Sequence, residues 1–275
     1  MIFRHIQPSP HLRPYIKVYM LLHFRFNANN PAPVKPFPAN PNQGITFYPR
    51  GGLMAYDPSN DTLTKRARTV IFGQQVSRLN LHLTQDDYMM FDVSFQPGIL
   101  AKFIRLPLRE FVNQNVDAEA VLSREVYQLN DRLANADNYE QMIELVEEYL
   151  WNRIQWLNIS LDPIDKISRL VVANAQPLSL DQWANEACLS VSAFERRFSQ
   201  QLGVSPKLFA RIIRFDQVMK LREQNPQFDW LSIALRAGYT DYQHLVKDFK
   251  QFAAATPVIL IGEEANAPER WLGLV

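Results

Sequence analysis

The sequence predicts an α+β chain in two parts, a β-rich barrel or sandwich first and an all-helical double helix-turn-helix second. Three observations carry this. Short apolar runs with period-two alternation fill the first hundred residues, as in Leu79, Leu81, Leu83 and then Met89, Phe91, Val93, Phe95. From Ile99 the apolar period lengthens toward that of a helix. In the second half, one helical layout occurs twice, about fifty residues apart.

The 275 residues are 47% hydrophobic and 12% aromatic, enough for full cores and too apolar for a chain disordered along its length. The one cysteine, Cys188, excludes a disulfide framework and a Cys-only zinc site, and it fits a reducing compartment. No apolar run approaches the roughly 18 residues that cross a bilayer. Val18 to Phe24 is broken by His23 and followed by Arg25. The opening MIFRHIQPSP has neither the apolar core nor the cleavage site of a secretory signal. The expectation is a cytoplasmic protein with no membrane partner. The net charge of +1 points to no partner by itself.

In chain order, Tyr15 to Phe26, Gly44 to Tyr48, Thr69 to Phe72, Leu79 to Leu83 and Asp87 to Phe95 read as strands. An antiparallel meander or Greek key is favoured, because no helical pattern separates them. Between Asn27 and Pro58 stand Pro31, Pro33, Pro36, Pro38, Pro41, Pro49 and Pro58, which predict an extended loop over the rim. Ser123 to Leu133 has a short amphipathic pattern in Val126, Leu129 and Leu133. Tyr139 to Trp156 has a stronger one, with Met142, Leu145, Val146, Leu150 and Ile154 on one face. That helix either packs within the chain or pairs with its copy in a dimer. Leu161-Asp162-Pro163 then breaks the chain. The predicted parts are residues 1–105, β-rich; 106–160, a helical linker or dimerisation region; and 161–275, helical throughout.

The repeated layout begins with Ser179 and Gln182, a capping-box pair, and continues through Trp183, Ala184 and Ala187 to a break at Cys188-Leu189-Ser190. Ser190 can cap a second helix that turns Phe194, Phe198 and Leu202 inward and stops at Gly203 and Pro206. The small Ala184 and Ala187 stand where two helices must cross closely, as a DNA-binding helix-turn-helix requires. In the second unit Asp229 can cap a helix through Leu231, Ala234 and Ala237. Gly238-Tyr239-Thr240 is the turn, and Thr240 with Gln243 forms another capping box. Ala184 and Ala187 map onto Ala234 and Ala237 at an offset of 50, and Phe194, Phe198 and Pro206 onto Leu245, Phe249 and Pro257 at 51. Between the units, Pro206 to Gln224 presents Phe209, Ile212, Ile213, Phe215, Val218 and Leu221 as the apolar side of a connecting helix. Two recognition helices on one rigid frame can enter successive segments of a major groove.

Residues 164–257 resemble the DNA-binding domain of the AraC family of bacterial transcription regulators. The matching segments are LSLDQWANEACLSVSAFERRFSQQLGVSP, KLFARIIRF and WLSIALRAGYTDYQHLVKDFKQFAAATP. Gly238, Tyr239, Leu245, Lys247, Phe249, Lys250 and Pro257 fit the signature of the family's second unit. Ala254 stands where the family usually has glycine, and Val258 to Ile261 replaces its polar and Tyr-Arg continuation. The resemblance implies base reading by outward positions of both recognition helices: Ser192, Glu195 and Arg196 in the first, and Tyr242, Gln243, His244 and Lys247 in the second. Arg suits guanine, Gln suits adenine and Glu can accept from cytosine. Arg197, Lys207, Arg214 and Lys250 are phosphate candidates. The stretch from Ile164 to Pro257 carries twelve basic and nine acidic side chains, a net of +3. That is thin for several phosphate contacts and predicts modest affinity as a monomer.

The resemblance further implies a small-molecule effector in a β-barrel-like N-terminal domain, a homodimer and contact with RNA polymerase. GITFYPRGG, Phe72-Gly73-Gln74 and Phe95-Gln96-Pro97-Gly98 resemble a bacterial regulator subgroup more weakly. Tyr48, Arg50, Tyr56, His82 and Phe91 are the pocket candidates, aromatics with one or two charges to orient a ligand. The rival reading is a cupin-like ligand-binding or catalytic β-domain whose helical half only packs or oligomerises. Such a metal enzyme needs converging histidines. His5, His11, His23, His82 and His244 include no His-x-His pair, and no nucleophile elbow, phosphate loop or HExxH occurs. A repair function through nucleophilic zinc-bound cysteines fails, because Cys188 is alone and predicted to lie within the packed turn. The sequence therefore predicts a non-enzymatic regulator without a metal or cofactor.

Overall fold

A computed structural model describes residues 1–27, 31–122, 124–174 and 179–274. Ser123, at the head of one predicted amphipathic run, and part of the proline-rich stretch lie outside the described residues. Strands β1 (Ile2–Ile6), β2 (Ile16–Arg25), β4 (Gly44–Arg50), β7 (Thr69–Phe72), β9 (Asp87–Phe95) and β10 (Asn115–Asp117) form a six-stranded sheet. It is ordered β1-β2-β9-β4-β7-β10. Strands β3 (Lys35–Phe37), β5 (Leu53–Asp57), β6 (Thr62–Lys65) and β8 (Leu79–Leu83) form a second sheet ordered β3-β8-β5-β6. Every named pairing is antiparallel.

The proline-rich stretch is not one loop, as predicted from composition: beside β4, which covers the strand read at Gly44 to Tyr48, it holds β3 and β5. Proline survives there at the two places where a missing N–H is tolerated. Pro36 sits on β3, an edge strand, and Pro49 sits where the β4–β9 register shifts between Phe47 and Arg50.

Period-two alternation separates two interiors. Tyr19, Leu21, Ile45, Phe47, Met89, Phe91, Val93 and Phe95 turn to one face of the large sheet. There they pack under α1 (Ile99–Ile104), a 3-10 turn (Leu108–Phe111), α2 (Ala118–Leu122), α3 (Arg124–Ala134) and α4 (Tyr139–Leu157). Their neighbours Leu22, Phe24, Tyr48, Tyr88 and Met90 turn the other way and pack against Leu53, Ala55, Leu79 and Leu81 of the second sheet. Met142, Val146, Leu150 and Ile154 of α4 are each 2% exposed or less in the first of these cores. The apolar stripe of α4 is therefore used within the chain.

Among the described residues eight helices follow: α5 (Pro163–Asn174), α6 (Leu180–Glu186), α7 (Val191–Leu202), α8 (Pro206–Gln224), α9 (Trp230–Arg236), α10 (Tyr242–Ala253), α11 (Pro257–Glu264) and α12 (Pro268–Trp271). Phe194, Phe198 and Leu202 close the core of the first unit with Trp183, Ala184 and Ala187. Leu245, Phe249 and Ala253 close the second with Ile233, Ala234 and Ala237. The connector α8 serves both, giving Phe209 and Ile213 to the first core and Ile212, Phe215 and Val218 to the second. Sliding one unit against the other would therefore break two close-packed interfaces at once.

The tail after the second unit does not extend into solvent. Trp271 stacks on Phe26 with ring centroids 6.0 Å apart, and Leu272 and Leu274 pack on the core between the two sheets. Lys35 of β3 pairs with Glu269, which is only 6% exposed.

Candidate nucleic-acid interface and ligand cavity

Caps set the start of each recognition helix. Ser190 accepts from the Ala193 N–H at the head of α7, and the predicted capping box of Ser179 and Gln182 is formed on α6. At the head of α10 the cap is Asp241, which accepts from the His244 N–H, and not Thr240 as predicted. The extra residue of the second unit moves the start by one, so Thr240 instead contacts the His244 ring at 2.8 Å. Asp229 caps α9 through the Ser232 N–H. Ser190→Ala is expected to cost about 1 kcal/mol of stability. A urea titration reads this as a lower midpoint at constant slope, and an unchanged midpoint would assign the cap no weight.

The two turns solve one backbone problem differently. Gly238 takes φ +81, where glycine is at ease, but its counterpart Cys188 holds φ +53 with a side chain attached. Cys188 lies in the turn but exposed, not packed inside it as predicted. Ala254, where the family usually has glycine, likewise ends α10 at φ 48.

On α7, Ser192, Glu195, Arg196 and Arg197 are exposed while Phe194 and Phe198 are buried. On α10, Gln243, His244, Lys247 and Lys250 are exposed, and Tyr242 is half-buried against the second core. His244 is held to Asp241 at 2.8 Å, which fixes its ring at the helix start. Lys207 is exposed in the first turn of α8. Arg214 is committed to the scaffold, lying over the Tyr239 ring at 4.9 Å and donating to the Gly238 carbonyl at 3.4 Å. Below it Asp248 accepts from Arg211 and from Tyr239 Oη at 2.9 Å. Burial, reinforced by the Asp248 charge, raises the Tyr239 phenol well above its usual range.

Residues 183–259 match the family model described as a helix-turn-helix domain. The C-terminal part of the chain carries an AraC-type helix-turn-helix domain. Residues 4–117, ahead of the AraC-type domain, match a second model described as a domain of unknown function, DUF6597. A Haemophilus influenzae protein described as an uncharacterized HTH-type transcriptional regulator is 35% identical over 78 residues. That match covers 28% of this chain and 26% of the relative, so it spans about a quarter of the relative's length. Among solved structures, ToxT from Vibrio cholerae aligns over 89% of this chain and 98% of its own at 11% identity, with a TM-score of 0.50. ToxT from Vibrio cholerae O395, bound to (E)-4-(8-methylnaphthalen-1-yl)but-3-enoic acid, aligns over 90% and 99% at 13% identity, again at 0.50. At such identities the likeness is one of fold: a two-sheet β domain joined to an AraC-type domain.

The AraC-type domain also walls a cavity of about 800 Å³ that runs from between the two sheets to α8, α11 and α12. Its apolar lining includes Leu22, Phe24, Leu53, Leu81 and Met90. Four cations in its lining each have a protein partner. Lys35 pairs with Glu269, Lys220 with Asp216 at 2.6 Å and Arg270 with Glu223 at 2.6 Å. Arg222 lies over the Trp230 ring at 5.0 Å and donates to the Phe228 carbonyl at 2.7 Å.

Polar groups on the barrel side include Thr46, Tyr48, Arg66, Asp92, Ser94 and Asn115. Asp92 is 7% exposed and accepts from Thr46 Oγ1 at 2.7 Å and Ser94 Oγ at 2.9 Å. Arg66 donates to Tyr48 Oη at 3.1 Å, while its buried Nε has no partner among the described residues. Burial pushes the Asp92 carboxyl up to about 6, against the opposing hydroxyls of Thr46 and Ser94 and the field of Arg66.

Of the sequence candidates for a pocket, Tyr48 lines this cavity and the other four do not. Phe91 is in the helix-side core, because odd positions of β9 face away from the cavity. Arg50 reaches Asp87 at 3.5 Å on the surface, Tyr56 donates to Asp61 at 2.9 Å, and His82 is half-buried on β8 outside the lining. Asp92 and Ser94 were missed for the same reason in reverse. They alternate with the Met89, Phe91, Val93 and Phe95 face, and a polar residue on the far face reads as solvated unless the second sheet is known to cover it. Among the described residues no group of three or more His, Cys, Asp or Glu is placed to hold a metal, and no helix is long and apolar enough to cross a membrane.

The raised Asp92 carboxyl gives a pH test. A proton held more tightly in the native state than in the unfolded chain means that stability falls as pH climbs from the ordinary carboxylate range, about 4, through about 6. Above that the cost is complete, on the order of 2–3 kcal/mol. Asp92→Asn is therefore expected to raise the melting temperature at pH 7.5, with the gain fading toward pH 4. A lower melting temperature at pH 7.5 would mean that the lost hydroxyl contacts outweigh the relief of burial.

Proposed function

We propose that the protein is a cytoplasmic, non-catalytic regulator of transcription that binds double-stranded DNA through α7 and α10. In this reading a small molecule in the cavity controls it. One observation carries most of the weight: two equivalent helix-turn-helix units share α8 as a common core element, and the outer faces of both recognition helices are polar and exposed. Ser192, Glu195 and Arg196, together with Tyr242, Gln243, His244 and Lys247, read bases. Arg197, Lys207 and Lys250 contact phosphates, and Arg214 shapes the second turn while its charge faces the same surface. RNA polymerase and a second copy of the chain are the protein partners this reading adds.

Control by a small molecule is supported by the position of the cavity, whose walls come from both halves of the chain. It is also supported by the acid bound in a ToxT structure of the same fold. A ligand can shift DNA binding only by favouring one arrangement of the halves over another, and a cavity walled by both halves is a place from which an occupant could do so.

The test is fluorescence anisotropy of the protein against duplex from upstream of its own coding region, beside scrambled duplex, at two salt concentrations. Selective binding that weakens with log salt as several phosphate contacts require is the expected result. If genome-wide selection of bound fragments also returned no enriched sequence, the regulator reading would fall.

A further inference from the structure

The barrel side of the cavity holds one guanidinium and one carboxylate that do not pair with each other. Arg66 and Asp92 form no ion pair with any group among the described residues, and both line the same cavity. The field of Arg66 reaches Asp92. Each is oriented by hydroxyls: Tyr48 accepts from Arg66, and Thr46 and Ser94 donate to Asp92. The Arg66 Nε–H and the side-chain oxygen of Asn115, which also lines the cavity, are buried without partners among the described residues. Lys35, Lys220, Arg222 and Arg270, the other Lys and Arg residues of the lining, are by contrast already matched within the protein. Unmet hydrogen-bonding capacity therefore lies on the barrel side, next to the apolar walls of Leu22, Leu53, Leu81 and Met90.

A simple anion would satisfy Arg66 and be repelled by Asp92, and a simple amine would do the reverse. A fully apolar molecule would bury both charges without compensation, which is costly. A head group that offers both an acceptor and a donor meets both. We propose that this cavity binds an apolar α-amino acid or a close analogue, its carboxylate on Arg66, its ammonium on Asp92, and its side chain along the apolar wall between the sheets. The inference rests on reading the cavity as the effector site of a regulator, and it names the ligand class.

The experiment is isothermal titration of the full chain with three probes that share one aliphatic body: 2-aminodecanoic acid, decanoic acid and decylamine. The amino acid is expected to bind about tenfold tighter than either of the others, or more, the factor carried by one charge-assisted hydrogen bond in a buried site. Arg66→Gln should bring it down toward decylamine, and Asp92→Asn toward decanoate. The ranking on the unmodified protein decides the matter even if a variant fails to fold. Decanoate or decylamine binding as tightly as the amino acid overturns the proposal in favour of a single-charge head, and no binding by any of the three overturns it outright. Anisotropy with duplex DNA on the same preparation separates the two readings. Selective DNA binding together with failed titrations removes the ligand class and leaves the regulator standing.

Discussion

Arg196→Ala combined with Lys247→Ala is expected to weaken binding to the protein's specific duplex by at least about thirtyfold. The arithmetic takes roughly 1–3 kcal/mol for each base-reading contact, added because the two positions lie in separate units. Both side chains are on exposed faces, and neither makes an ion pair among the described residues, so folding loses little when they go. The melting temperature should therefore stay close to that of the unmodified protein, and titration with cavity ligands should be unchanged. Base reading and phosphate contact leave different traces. Loss of a base contact lowers affinity for the specific duplex more than for scrambled duplex, while loss of a phosphate contact lowers both and flattens the salt slope by about 1. An equal loss on both duplexes would move Arg196 and Lys247 to the phosphate group, and unchanged binding would remove α7 and α10 from the interface.

Lys102→Ala should destabilise the chain by about 3 kcal/mol, the cost of leaving a buried carboxylate without its cation. Lys102 stands on α1, in the β-rich half. Its ammonium pairs with Asp165, whose side chain is wholly buried at the start of α5, and with Asp162 at 3.1 Å. The two aspartates also cap α5 reciprocally, and Gln201 near the end of α7 donates to Asp162 at 2.7 Å. Gly98, at φ +86, keeps room for this approach, since a Cβ there would run into Asp165 Oδ1. Burial already holds the Asp165 carboxyl above the usual range, so the variant's deficit should shrink at low pH, where that group takes up its proton. Lys102→Met with Asp165→Asn should recover much of the loss by removing both charges while keeping the cap. Urea unfolding of the three proteins at pH 5 and pH 8 reads the series. A Lys102→Ala protein as stable as the unmodified one would assign the cluster no role in docking the halves.

The helical half was largely legible in the sequence because its signals are local. The capping serines, the small residues at the helix crossing and the apolar spacing each act within four residues, and Ser179, Ser190 and Asp229 all cap where expected. The one misplaced cap, Thr240 for Asp241, came from the capping-box spacing of Thr240 and Gln243, although aspartate is the stronger cap of the two adjacent residues. The strands of the large sheet were legible wherever apolar residues alternate. Strand β3 was hidden because a proline that forbids a central strand is tolerated at an edge, and β5 because its five residues, themselves free of proline, lie between Pro49 and Pro58 in a stretch whose composition reads as loop. Cavity residues were the least legible. Whether Asp92 faces water or a closed interior depends on a four-stranded sheet whose strands come from residues 35–83, and no local pattern carries that information.

On the proposed function, a cavity whose walls are drawn from both halves makes its occupancy and the posture of the DNA-reading units parts of one equilibrium. Whatever factor an occupant applies to the protein's affinity for its duplex, the duplex must apply in return to the affinity for the occupant. Saturating the protein with cognate DNA should then shift the dissociation constant of a cavity ligand by the same ratio and in the same sense. In a cell, the threshold concentration at which the ligand is sensed would depend on how many target sites are present to be bound.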